Sequence, residues 1–305
     1  MMTGLVGVMH APSRQRAQRV SRPIGIFDSG LGGLTVVRAI RRRLPAESIV
    51  YFGDTARVPY GIKSGRTVTR FAIEDCEFLC RHDPKFIVAA CNTASAAALA
   101  ALEERFTMPL CGVIEPGAAE AVRAGGGRPI GVIATEATVA SGAYRRAILG
   151  LAPDATLLEQ ACPLLVPLVE EGRSAGDRIV RLALRQYLAP MQQAEVATLV
   201  LGCTHYPLLG DAIADILGPG VHLVDSAEAV AGEVASRLAS RLAADGAAET
   251  GGPGDVRFFV SDNPQRFRDV GTRFLGEPIG AVSLVAPEDF FAASPATPAG
   301  VEDVS

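Results

Sequence analysis

Lysine is nearly missing from this chain. Of its 29 lysines and arginines, only Lys63 and Lys85 are lysines. A pyridoxal phosphate enzyme needs a lysine for its Schiff base. Lys63 falls in an expected loop and Lys85 just before an expected strand, so neither suits that role. No lysine follows Gly30-Leu31-Gly32-Gly33, which excludes a P-loop, and the spacing is not Gly-x-Gly-x-x-Gly. No apolar run reaches the roughly eighteen residues of a membrane span, and Met1 to Val20 has no apolar stretch of the secretory kind. The formal net charge of −4 lacks the positive excess that would draw nucleic acid or an anionic membrane, so neither is expected as a partner. Six cysteines are scattered through the chain rather than packed into a disulfide framework, which favours free thiols in a reducing cytoplasm.

What is present is a long, core-rich chain. Its 305 residues are 49% hydrophobic, enough for two domains of ordinary size. Short apolar runs alternate with amphipathic stretches. Ile24 to Phe27 reads as a strand, followed by a helix with Leu34, Val37, Ile40 and Leu44 on one face. Ile49 to Phe52 is a second strand, Thr67 to Arg81 a helix, Phe86 to Ala90 a buried strand, and Asn92 opens an Ala-rich helix. Further along come a helix over Glu228 to Ala244, a Gly/Pro linker over Gly246 to Gly254, a strand over Val256 to Val260, a helix over Pro264 to Leu275 and an apolar run over Val282 to Val285. Uninterrupted apolar strands alternating with helices predict an α/β fold with parallel sheets covered on both faces.

The chain also echoes itself. Ile24-Gly25-Ile26-Phe27 returns 106 residues later as Ile130-Gly131-Val132-Ile133. Val88 to Thr93 returns 112 residues later as Val200 to His205, and Gly112 to Glu115 returns 110 residues later as His222 to Asp225. Three echoes in one order at nearly one offset predict two pseudo-symmetric parallel-sheet α/β domains with the active site between them. The expected division is a discontinuous first domain over 22–116 and 227–291 and a second over 117–226. Residues 1–21 are expected to be a disordered arm or a start codon placed too early, and 292–305 a disordered tail.

Ligands of open parallel sheets bind beyond the carboxyl ends of the strands. Cys91 and Cys203 stand there, each at the end of an echoed strand and at the expected start of a helix, with Pro207 suited to a first helical turn. A helix N-terminus favours thiolate and is expected to lower both thiols. Asp28 ends the first strand and is placed to orient or deprotonate Cys91. His205 lies two residues beyond Cys203 as its proton partner. Two thiols on opposite faces of one substrate have a specific meaning: one removes a proton and the other returns one, which inverts a stereocentre.

The runs Gly25 to Gly33, Asp54 to Gly61, Ala90-Cys91-Asn92-Thr93-Ala94 and Gly202-Cys203-Thr204-His205-Tyr206-Pro207 closely resemble those of bacterial glutamate racemases, in the same order and spacing, from about Pro23 to about Phe291. The resemblance implies Cys91 and Cys203 as the acid/base pair. It implies that Asp28, Ser29, Tyr60, Gly61, Asn92, Thr93, Thr204 and His205 line the substrate site. Thr135 and Thr138, in Ala134-Thr135-Glu136-Ala137-Thr138, match the family's Gly-Thr-x-x-Thr turn with alanine for glycine. A family glutamate aligns to Glu170, with Glu171 beside it. A glutamate substrate, no cofactor, a homodimer, and supply of D-glutamate for peptidoglycan are implied likewise.

Plainer readings cover the other features. Cys76, Cys80, Cys111 and Cys162 read as small core residues, and the Cys76/Cys80 spacing with His82 nearby as a helix stripe. His10 and His222 read as structural or incidental, and Arg41 to Arg43 as a solvated helix end. Cys91, Cys203 and His205 as zinc ligands of a hydrolase, with no fourth ligand in view and no metal expected, form one alternative. Racemisation of aspartate or a related acid on the same fold forms another.

Overall fold

The apolar runs become strands because they are buried on both faces. In the computed structural model, which describes residues 22–245 and 252–286, β1 (Ile24–Asp28), β2 (Ile49–Gly53), β5 (Ile130–Ala134) and β7 (Thr198–Gly202) are buried at every position. The arm over 1–21, the tail over 292–305 and most of the linker over 246–254 lie outside the described residues.

Two parallel sheets result. The first has the order β10-β9-β2-β1-β3-β4, with β3 at Phe86–Ala89, β4 at Leu110–Gly112, β9 at Val256–Val260 and β10 at Val282–Leu284. The second has the order β6-β5-β7-β8, with β6 at Leu157–Ala161 and β8 at His222–Asp225. All pairings are parallel, as continuous apolar strands require. The C-terminal strands return to the first sheet, with β9 pairing along β2.

The register makes the internal symmetry quantitative. β2-β1-β3-β4 has the same order as β6-β5-β7-β8. Ile24 pairs with Phe86, and its echo Ile130 pairs with Thr198, so the first two echoes fall on structurally equivalent positions. The third does not. Leu110–Gly112 occupies the register place of Leu223–Asp225, whereas Val113 caps a helix that begins at Ile114. The expected match of Gly112–Glu115 to His222–Asp225 is therefore shifted by three residues, because a short apolar run looks alike in a strand and in a buried helix start.

Helices cover both sheets. α1 (Leu34–Arg43), α2 (Gly65–Cys80), α3 (Asn92–Arg105) and α4 (Ile114–Gly125) follow the first four strands. α2 is capped by Ser64, whose side chain accepts from Thr67 N–H. α5 (Glu136–Ser141), α6 (Ala143–Leu151), α7 (Leu165–Glu170), α8 (Arg178–Gln193), α9 (Gly210–Leu217), α10 (Ser226–Asp245) and α11 (Pro264–Leu275) complete the order. Arg41 and Arg42, expected as a solvated helix end, pair with Glu277 and Glu228. No helix among the described residues is long and apolar enough to cross a membrane.

Candidate active site

The equivalent registers bring two loops from each sheet to one place. Cys91 directly follows β3 and Ala90, and it is the N-cap of α3. Cys203 directly follows β7. Only Cys91 stands at an α-helix start, because Cys203 is followed by a 3-10 turn over Tyr206–Leu209 before α9 begins. Pro207 falls in that turn and not in an α-helix.

Each thiol is buried and has different company. Burial pushes the Cys91 thiol up to about 12, and charge on Asp28 and Cys203 pushes the same way. Bonds from the Ala94 N–H and the Ser29 side chain oppose this but do not overcome it. The helix N-terminus therefore does not hold Cys91 as a thiolate, contrary to the sequence-based expectation: its exclusion from water outweighs the helix end. Asp28 is itself fully buried and raised above the usual carboxylate range by burial, partly offset by His205 and by the N–H groups of Gly30 and Gly33. One of its oxygens, Oδ2, accepts from Gly30 N–H at 2.9 Å, and the other has no protein partner.

Cys203 has a longer chain of partners. Its Sγ lies 3.8 Å from His205 Nδ1, and His205 Nε2 lies 3.0 Å from Glu170 Oε1. Burial disfavours the imidazolium, but Cys203 and Glu170 outweigh it and hold His205 at about 10. Burial raises Glu170, while His205 and then Arg266 lower it, and the balance is a carboxyl below its ordinary range. Glu170 is thus the carboxylate on His205. Glu171, its neighbour, pairs with Arg173 at 3.1 Å instead.

Three hydroxyls gather where the loops after β3 and β5 meet. Thr93 Oγ1 lies 3.0 Å from Thr135 Oγ1 and 3.1 Å from Thr138 Oγ1, and the last two are 2.9 Å apart. Thr135 caps α5 by accepting from Thr138 N–H. Gly61 abuts this triangle: a Cβ there would sit 2.9 Å from Thr135 Cβ. Tyr60 belongs to the same turn, but its side chain points away, donating to Asp54 at 2.5 Å and reaching Asp75 at 3.2 Å. Asn92 is buried, its Oδ1 accepting from Tyr144 Oη at 2.7 Å and its Nδ2 donating to Ser226 at 3.4 Å. Thr204 Oγ1 lies 3.4 Å from His205 Nδ1.

Sequence reasoning missed Thr35, Tyr144, Ser226, Phe274 and Arg266. Thr35 Oγ1 donates to Gly32 O at 2.9 Å and reaches Thr204 O at 3.4 Å, which ties the loop after β1 to the loop after β7. Phe274 packs edge-on against His205 with ring centroids 5.0 Å apart. No local motif marks these residues, since their partners are about 50 to 170 residues away in sequence. Among the described residues no three His, Cys, Asp or Glu side chains converge as a metal-ligand set.

Residues 24–234 match the model of the Asp/Glu/hydantoin racemase family. The chain is 48% identical to the glutamate racemase of Syntrophus aciditrophicus, over 86% of this chain and 96% of that one. It is also 48% identical to that of Neisseria meningitidis serogroup A, over 87% of this chain and 97% of the relative. Among solved structures, the Thermus thermophilus glutamate racemase in complex with beta-chloro-D-alanine aligns with a TM-score of 0.78 at 48% identity, covering 88% of this chain and 99% of that one. The Francisella tularensis glutamate racemase in complex with D-glutamate aligns with a TM-score of 0.79 at 38% identity, covering 87% and 98%.

Proposed function

The chain belongs to the Asp/Glu/hydantoin racemase family, and from that premise we propose that it interconverts L- and D-glutamate through Cys91 and Cys203. The observation that carries this reading is the register equivalence of the two cysteines, each ending an equivalent strand in one of two like-ordered sheets.

In the proposed reaction one sulfur, as thiolate, takes the α-proton. The C–H bond breaks, an S–H bond forms, and the electron pair passes to the α-carbon and its carboxylate. The opposite thiol then gives its proton to the other face, and the reverse reaction exchanges the roles. Asp28 is the proton partner of Cys91. His205, held by Glu170, is the partner of Cys203, and its own affinity for a proton is raised by Cys203 and Glu170. Thr93, Thr135 and Thr138, with the backbone at Gly61, form a cradle for one substrate carboxylate. Ser29 and the N-terminus of α3 serve the end that bears the reacting carbon. We further propose a homodimeric, cytoplasmic enzyme that supplies D-glutamate for peptidoglycan; the six free cysteines suit a reducing compartment.

The test is D-glutamate in deuterated water with purified protein and no added cofactor, followed by polarimetry and proton NMR. The expected product is L-glutamate with deuterium at the α-carbon, with racemisation lost in both Cys91→Ala and Cys203→Ala. Wild-type rates in either variant overturn the two-thiol reading, and preferential turnover of aspartate overturns the substrate. Light scattering after size-exclusion chromatography reads the oligomer.

A further inference from the structure

Helix α11 belongs to the first sheet's side of the molecule, yet three of its side chains converge on the Glu170–His205 pair of the second. Arg273 Nη1 donates to Val169 O at 3.1 Å, and its Nη2 donates to Arg173 O at 3.1 Å. These carbonyls flank Glu170 in the chain. Arg266 Nη2 lies 3.8 Å from Glu170 Oε2. Phe274 covers the face of the site where its ring meets His205 edge-on. Positions 266 and 273 are two helical turns apart and so share a face.

The base of this clamp is fixed. A Cβ on Gly271 would lie 2.7 Å from both Leu34 Cδ1 and Ile279 Cδ1, so α11 is seated closely on α1. The segment it holds is short. α7 has six residues, its last turn gives way to Gly172 at φ +90°, and the Val169 carbonyl also accepts from Gly172 N–H at 3.0 Å. Carbonyls at a helix end have no partner within the helix and are held by tight local turns, side chains or water. Two bonds from one planar guanidinium fix both the position and the angle of this end.

We propose that Arg273 is a positioning residue for the acid/base group on the Cys203 side: by gripping the backbone on either side of Glu170 it sets where that carboxylate meets His205. Arg273 touches no reacting atom. Its bonds fall on the backbone around Glu170 and not on β3 or α3, so it acts more strongly on the proton transfer at Cys203 than on the one at Cys91. This inference rests on the two-thiol reading above.

Racemisation makes the asymmetry measurable. Loosening the Cys203 side makes proton transfer to and from Cys203 more rate-limiting. With substrate deuterated at the α-carbon, the isotope effect then grows in the direction in which Cys203 abstracts and shrinks in the other. The experiment compares wild type, Arg273→Met and Arg273→Lys with both deuterated enantiomers of glutamate. For Arg273→Met a loss of roughly tenfold to a hundredfold in kcat is expected, the scale of a small misplacement near the chemistry, with isotope effects that diverge between the enantiomers. Arg273→Lys, which keeps the charge and one donor, recovers part of the rate and part of the symmetry. If Arg273→Met does not fold, the same divergence is read on Arg273→Lys. Unchanged kcat, or isotope effects that shift equally in both directions, overturn the proposal while leaving the two-thiol reading intact. Absence of α-proton exchange in wild type overturns the reading and the proposal with it.

Discussion

Gly32 lies against the Thr204 side chain so closely that a Cβ on the glycine would come within 2.0 Å of the threonine Oγ1 and 2.7 Å of the His205 ring. The register explains why this contact exists on one side only. Counted on past the strand ends at the offsets the registers fix, Gly32 corresponds to Thr138 and His205 to Thr93. One half places threonine against threonine and builds a hydroxyl triangle. The other gives up a side chain at Gly32 to admit an imidazole. The two like-ordered halves thus present different corners, a hydroxyl triangle in one and an imidazole packed against a bare backbone in the other.

Gly32→Ala tests this division. No flexible end is available to move, since the threonine and the imidazole both belong to the site. Overpacking of this kind costs about 1–3 kcal/mol, and displacing His205 lowers racemisation on the order of a hundredfold. Chemical denaturation with a kinetic assay checks both, and an alanine variant of wild-type activity would show that Thr204 and His205 have room to retreat.

The Glu170–His205 pair predicts a pH-dependent stability. His205 titrates at about 10 in the folded chain against an ordinary 6.5. A raised folded pKa means that folding is favoured by proton binding, so this contribution is complete below pH 6.5 and is lost as pH rises through about 10. Glu170 is lowered from its ordinary 4.5, so its contribution is present above that value and disappears as pH falls. The difference in Tm between wild type and His205→Asn is therefore expected to be largest near pH 5 to 6.5 and to shrink towards pH 10. A difference constant over that range, measured by scanning calorimetry, contradicts an imidazolium at this position.

How much of this was legible in the sequence depends on the range over which each feature is set. Strands such as Ile24–Phe27 announce themselves because burial on both faces leaves no polar position. Cys91 and Cys203 stand out because they hold the same place in echoed runs, each just past the end of a strand, and Glu170 comes from family resemblance alone. β6 was not read from the sequence: its Leu-Leu-Glu-Gln-Ala is half-buried on a sheet edge and carries no clean period. The local environment of the cysteines was also beyond reach. A helix start is a local signal, but Asp28 and Cys203, which push Cys91 up alongside burial, lie far from it along the chain. The same holds for Arg273, whose partners at Val169 and Arg173 are about a hundred residues away.

Asp28 is the residue at which a structural and a chemical role can be separated. Its carboxylate closes the turn after β1 by accepting from the N–H groups of Gly30 and Gly33, a task that needs only an acceptor oxygen. Its other oxygen is buried without a protein partner, so it is the one not occupied by the turn. An asparagine side chain in its place keeps the first function and abolishes the second, so Asp28→Asn is expected to fold with a Tm close to wild type. Its racemisation falls by about 10²–10⁴-fold, the range of a positioned proton acceptor. Burial raises the Asp28 pKa, so wild-type activity is expected to decline on the acidic side as this carboxylate takes up a proton, and the residual activity of the variant loses that limb. Rate profiles of both proteins from pH 5 to 9 decide the matter. A variant that unfolds assigns Asp28 to the turn, and one that retains both its rate and its acidic limb removes Asp28 from the chemistry of Cys91.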